Sequence, residues 1–440
     1  MTTHIVHSSD EAALDGLTTA RTFPLVDALL GRRSRRFAMG ATLPTGPFAY
    51  HSRQEPVPLN ELEQLVLLTA MAGNTGWHYL LPHHSQLPEH FPNYSSAAGG
   101  RTIPSAAGWQ TSELFYTDDS GVYLFATRDA PALVEPNAVG ELDLDALLTA
   151  HRQCIRKVAD GRLQVPAGAV DAHNQWCANG PGSTLCIPVA DQAQHMLGVL
   201  CFMVQNGGCI YDNIHQQRIP GLERFRHLVD VENPAPLTEI ELNCLTMCMA
   251  ELSNSCYAGM LMLQAMGLGG WLFTGLDAYA VLGCSGDPAA PGLGFHYTRS
   301  PQRSVPNPTG LPGFFAGFCP PHYPDMRAAV EAFVARKFGP GGPFHPETPG
   351  PWRNTPQVRA SAMVHDEEFK ACVALMAQYV YDRFGQFPAT VPTILARIFL
   401  QAHHLDLEFY DQYYTPSAYL QTHVEHMAQW HGETGVGRQE

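Results

Sequence analysis

Apolar positions recur at the three-to-four-residue spacing of an amphipathic helix in several separate stretches of the chain. Leu62, Leu65, Val66 and Thr69 follow this rhythm up to Gly73. Asn60 stands ahead of them with Glu63 three residues on, which predicts a capping box at the start of a helix. Residues 142–158 read as a second amphipathic helix and residues 326–338 as another. Over 367–384, Phe369, Cys372, Met376, Tyr379 and Val380 fall on one side, and Gly385 stops the helix. A shorter helix over 23–30 ends at Gly31, in the place glycine favours. Between these, the runs 113–117 and 121–127 are rich in β-formers. They flank Asp118-Asp119-Ser120 and predict a hairpin.

Two stretches lack a polar face. The run from Met196 to Val204 is apolar throughout and of a length that suits a buried strand. The other starts at Thr238, with Glu241 as its capping partner, and stays apolar on nearly all sides to about Met266. Gly267-Leu268-Gly269-Gly270 then breaks it. Gln264 and the glycines interrupt the apolar run over 256–273, so a buried core helix fits it better than a membrane span. Residues 1 to about 20 are polar and read as loosely ordered. The stretches 39–58, 207–220 and 288–350 read as loop-rich, the last with one helix inside it.

Composition narrows the function classes. Lys and Arg number 26 against 41 Asp and Glu, a net charge of −15, which argues against a general nucleic-acid binder. The 11 cysteines include no CxxC pair and several sit inside apolar runs, which points to a reducing compartment. No signal peptide is legible at the N-terminus, and the expected location is cytoplasmic, away from membranes. Against this acidic background, Arg32, Arg33, Arg35 and Arg36 crowd into five positions around Ser34. Arginine offers a planar fork suited to phosphate or carboxylate.

Three segments then read together. Arg32-x-Ser34-x-Arg36 follows a short helix. Arg101-x-x-Pro104-Ser105-Ala106-x-Gly108 is a small-residue loop ahead of the hairpin. Met266-Gly267-Leu268-Gly269-Gly270 closes the buried helix. In this order they resemble the nitroreductase-like flavoproteins, and most of all the branch with the azoline dehydrogenases of peptide-antibiotic maturation. The resemblance covers roughly residues 23–298. It implies an α+β fold with a central, mostly antiparallel sheet flanked by helices, in an intertwined homodimer. It implies FMN held by Arg32, Ser34 and Arg36 on the phosphate side. Pro104, Ser105 and Ala106 would lie along the ring and Leu268, Gly269 and Gly270 on its other face. Arg299 or Arg303 would be a further basic contact, without a clear motif. The implied activity is FMN-dependent oxidation or reduction of a small-molecule or peptide-derived substrate, with NAD(P)H or oxygen as co-substrate. On this reading residues 1–21 are a flexible N-terminus and 22–300 the flavin-binding core, with an insertion over about 165–235. Residues 301–440 are a C-terminal extension.

That extension holds a second constellation. His404 and Glu408, and His423 and His426, stand one helical turn apart, and His431 follows. Such pairs can bind Zn, Fe or Mn. No recognised metal motif is matched, so the sequence assigns no metal ligand. The simpler expectation is a helical tail whose histidines hydrogen-bond within it or to a partner subunit. If the tail folds over the flavin, Tyr410 and His404 are the expected proton donors, with Tyr413 beside them. A metal-dependent enzyme and a non-catalytic partner subunit remain as alternatives. Cys177 would need a neighbouring base to act as a nucleophile, and an idle buried thiol is the simpler reading.

Overall fold

The computed structural model describes residues 8–77, 99–105, 108–128, 130, 143–301, 304–350 and 352–432. Its helices are α1 (Ser8–Thr22), α2 (Leu25–Gly31), α3 (Glu61–Ala72), α4 (Leu144–Arg152), α5 (Gln192–Gln205), α6 (Leu237–Met266), α7 (Ala278–Leu282), α8 (Met326–Phe338), α9 (Thr355–Ala360), α10 (Glu367–Phe384), α11 (Leu407–Tyr413) and α12 (Gln421–His431). The central sheet is built from β1 (Ser112–Thr117), β2 (Gly121–Phe125), β3 (Ile155–Asp160), β4 (Thr184–Asp191), β5 (Gly269–Phe273), β6 (Thr390–Val391) and β7 (Phe399–His403). Strand order is β5-β7-β4-β1-β2-β3, with β6 pairing the far end of β4, and every pairing is antiparallel.

Both faces of this sheet are covered. Leu114 and Tyr116 of β1 point into a core shared with α3, α6 and Trp430 of α12. Phe115 between them points to the opposite side, against Trp271 and Phe399. This two-residue alternation with both faces covered is why every residue of β1 and β4 is buried. Each large side chain fully buried in this way is worth about 1.5–3 kcal/mol.

The capping box at α3 forms as the sequence spells it. The Asn60 side chain accepts from the Glu63 N–H, and Glu63 Oε2 accepts from the Asn60 N–H at 2.6 Å. The hairpin forms from β1 and β2, and α8 and α10 form where expected.

Several expectations are corrected. The run from Met196 to Val204 lies in α5, not in a strand. Residues Gln192 to Cys201 are all buried, so no polar face marks the helical period, and only the Asp191 cap betrays it. The helix expected over 142–158 stops at Arg152, and β3 follows, paired with β2. The polar N-terminus forms α1 from residue 8. Tertiary contact with α12 sustains it: a Cβ on Gly16 would fall 2.3 Å from the Trp430 ring. The capping role expected of Glu241 at α6 falls to Asn213, whose Oδ1 accepts from the Thr238 N–H and whose Nδ2 donates to Thr238 Oγ1. The boundary expected near residue 300 does not divide the sheet, since β7 inserts between β5 and β4. Among the described residues no helix is long and apolar enough to cross a membrane.

Candidate metal centre

Glu63, His404, His426 and His431 converge on one point, each offering one donor atom, with all four atoms within 4.8 Å of one another. Glu63 lies in the first turn of α3, where the positive end of the helix dipole favours a carboxylate. Its Oε2 is spent on the cap. Its Oε1 faces His426 Nε2 at 2.8 Å, His431 Nε2 at 3.1 Å and His404 Nε2 at 3.3 Å. His404 Nε2 and His431 Nε2 are 3.2 Å apart.

Each element is brought here by a separate piece of local chemistry. His404 follows directly on β7, and its Nδ1 lies 2.8 Å from the Val57 carbonyl. His426 belongs to α12, and its Nδ1 lies 2.7 Å from the carbonyl of Met266, the last residue of α6. That carbonyl is one of the orphans every helix C-terminus leaves. Thr422 Oγ1 donates to a second, Gln264 O, at 2.8 Å. Gly267 makes the approach possible. It caps α6 at φ 80°, and a Cβ there would lie 2.1 Å from Thr422 O. The far end of α12 is tied by Asn60, whose Nδ2 donates to Trp430 O at 3.1 Å.

The hydrogen bonds fix the protons. A carbonyl oxygen only accepts, so Nδ1 carries the hydrogen in both His404 and His426. A neutral ring then presents a lone pair at Nε2. Three imidazole nitrogens and one carboxylate oxygen thus face a common point with little water near: side-chain exposure is 0% for Glu63, 1% for His404, 3% for His426 and 17% for His431. Burial pushes the Glu63 carboxyl up, and positive charge or a donated proton on the imidazole side is what holds it well below the usual carboxylate range. Burial lowers the His426 imidazole, against the pull of Glu63. A tetrahedral ion with bonds of about 2.0–2.1 Å keeps its donor atoms about 3.3 Å apart, close to the four spacings of 2.8, 3.1, 3.2 and 3.3 Å given above. Backbone carbonyls on the remote ring nitrogens are the usual orienting partners of ligating histidines. The residues fit a first-row divalent ion.

Helical spacing had paired these side chains differently. Glu408 lies on α11, while His404 precedes that helix, and Glu408 instead meets Tyr50, Arg53 and Gln54 at the surface. His423 is not part of this cluster, and its Nδ1 accepts from the Leu420 N–H.

The arginine knot divides. Arg35 is inserted into the protein: its guanidinium donates to Gln264 Oε1 at 2.6 Å, Ala418 O at 2.8 Å and Gly31 O at 3.3 Å. Burial lowers it to about 10. Its backbone forms an antiparallel bridge with Gly270. Arg36 reaches Asn174 Oδ1 at 3.4 Å and lies over Trp271, whereas Ser34 is exposed and Arg32 half-buried. Two of the three motif segments therefore meet. The third does not join them within the chain. Ser105 Oγ donates to Glu251 Oε2 at 2.6 Å, and the Pro104 carbonyl accepts from Asn254. Glu251 stands fifteen residues before Met266 on α6, about 22 Å at 1.5 Å per residue.

Leu268 is buried, and Gly269 and Gly270 belong to β5. A Cβ on Gly269 would meet Leu405, and one on Gly270 would meet Gln401 O. Arg299 donates to Cys284 O. Ala106 and Arg303 lie outside the described residues. Tyr410 is buried in an aromatic cluster with Phe37 and Phe409. Its hydroxyl accepts from the Phe37 N–H, and burial raises its pKa. Tyr413 donates to Ala49 O. Burial pushes the Cys177 thiol up to about 12, which leaves it inert at neutral pH. Glu63, the hub of the cluster, carried no signal in the sequence beyond its capping role.

No family model matches the chain, and no curated protein matches it. Among solved structures, a chain named "putative nitroreductase" from Ralstonia eutropha JMP134 is 16% identical. The match covers 59% of this chain and 73% of that one, with a TM-score of 0.26, a superposition too loose to support an argument about this chain.

Proposed function

We propose that the protein is a metalloprotein that holds one divalent first-row transition ion, of the Zn(II) or Fe(II) kind, through Glu63, His404, His426 and His431. The observation that carries this reading is the pair of Nδ1–carbonyl contacts that set the tautomer of two imidazoles. His404 and His426 spend their Nδ1 hydrogens on carbonyls, so their Nε2 lone pairs face the Glu63 carboxylate at 3.3 and 2.8 Å. Lone pairs so placed repel the carboxylate unless a cation or a donated proton lies between them. Protonating both rings would bury two charges against one, which is costly. A single divalent ion satisfies all four donors at once. Three nitrogens and one oxygen suit Zn, Fe or Mn better than Ca or Mg.

Metal analysis of the purified protein is the test. About one equivalent per chain is expected, retained through dialysis and lost to a strong chelator. Protein that stays metal-free after reconstitution with Zn(II), Fe(II), Mn(II) and Co(II) in turn overturns the reading.

A second reading is an FMN-dependent oxidoreductase acting on a small-molecule or peptide-derived substrate. What supports it is the Arg35–Gly270 bridge, which joins the arginine segment to the glycine break. Because the Ser105 loop lies some fifteen residues back along α6, this reading also calls for a second copy of the chain to complete the site. It predicts a flavin absorption band, native or after adding FMN, in a preparation whose mass in solution is that of a dimer. A colourless monomer that takes up no FMN rules it out.

A further inference from the structure

We infer that His431 is a displaceable fourth ligand. Glu63, His404 and His426 form the permanent set, and the position His431 covers is open to water or a small anion. The inference rests on the metal reading above and deepens it.

The four ligands are not held alike. Glu63 is anchored through Oε2 by the Asn60 N–H, His404 through Nδ1 by Val57 O, and His426 through Nδ1 by Met266 O. Among the described residues His431 has no such second anchor: its hydrogen-bonding contacts run from Nε2 to Glu63 and His404. It is also the ligand nearest solvent, at 17% side-chain exposure against 0–3% for the others. It closes α12, with Gly432 at φ 69° directly after it, at a helix end where order is weakest.

The backbone there does not have to move. Trp430 is buried at 1%, and its carbonyl is held by Asn60 Nδ2. Rotation of the His431 side chain alone uncovers the position on the solvent side. What stays behind is two histidines and one glutamate, a set that in catalytic zinc sites leaves the fourth place to water and in non-haem iron sites leaves places open. The shared chemistry of the incoming ligand is a lone pair on a small oxygen or nitrogen donor.

Cobalt(II) titration of the metal-stripped full-length protein, followed by its visible spectrum and then by sodium azide, tests this. Wild type should take up one cobalt. H431A should bind cobalt within about tenfold of wild type, while H426A should lose more than about a hundredfold, since even loss of a supporting group costs about 10–100-fold. Azide should then shift the cobalt spectrum of H431A saturably, at a concentration at least tenfold lower than wild type needs. If H431A loses cobalt as severely as H426A, His431 is an integral ligand and the inference falls. If H431A keeps cobalt but azide leaves its spectrum unchanged, the position is closed and the inference falls as well. A wild type that takes up neither cobalt nor Zn(II), Fe(II) or Mn(II) overturns the metal reading, and this inference with it.

Discussion

Replacing Glu63 by Gln is expected to strip the protein of its metal while leaving α3 in place. The amide oxygen of Gln can still accept from the Asn60 N–H, so the cap survives. The amide nitrogen then occupies the place of Oε1. It can donate a hydrogen bond to an imidazole lone pair, but it cannot ligate a cation. Metal affinity should fall by more than the roughly 10–100-fold that removing a supporting group costs. Binding to the folded state alone stabilises by about 2.7 kcal/mol at a hundred times the Kd. Wild type with metal should therefore melt several degrees above both chelated wild type and Glu63→Gln, and the latter two should melt close together. The control is Glu63→Ala, which removes cap and ligand alike and should melt lower still. A Glu63→Gln protein that keeps its metal would show that Glu63 is not a ligand, and a wild type whose melting ignores chelator would show the cluster to be a hydrogen-bond network.

This centre shows how far the sequence could be read. The Asn60–Glu63 box is local, so three residues of spacing revealed it. The ligand role of Glu63 depends on residues 341 and 368 positions away, and nothing in its neighbourhood announces them. The histidines were visible as a group, but helical spacing misassigned them: it joined His404 to Glu408, whereas His404 lies ahead of the helix that carries Glu408. The arginine knot was legible as an anomaly of charge. Which arginine enters the protein is decided by the extended bridge to Gly270, which turns Arg35 inward and leaves Ser34 exposed. Helix α5 was misread because burial on all sides erases the period that distinguishes helix from strand. The antiparallel hairpin and the caps of α3 and α10 were legible because their rules act within a few residues. The return of the chain at β7 into the middle of the sheet is set by long-range packing alone.

Replacing Arg128 by Met should be among the most destabilising single changes at neutral pH. Arg128 stands between two buried acids. Its Nη1 lies 3.2 Å from Asp191 Oδ2 and its Nε 4.0 Å from Glu113 Oε1, with side-chain exposures of 6%, 0% and 5% for the three residues. Asp191 also caps α5 by accepting from the Gln194 N–H. Methionine would keep the packing against Phe315, over which the guanidinium now lies. It would leave the acids without their shared cation, a loss of about 3–5 kcal/mol where one partner of a buried pair is removed. The loss should depend on pH in a defined direction. Burial pushes the Asp191 carboxyl up to about 6, with Arg128 pulling it back down. Its unfolded value is about 3.9, so Asp191 takes up a proton on folding in this window, and the protein gains stability from it as pH falls from above 6 towards 4. Without Arg128 the folded value rises further, and the variant begins to recover at higher pH than wild type does. The gap between the two proteins should thus be smaller at pH 5 than at pH 8. Urea denaturation of both, in chelator so that the metal centre contributes equally, measures it. An equal gap at the two pH values would mean that the charge on Asp191 is not what Arg128 offsets.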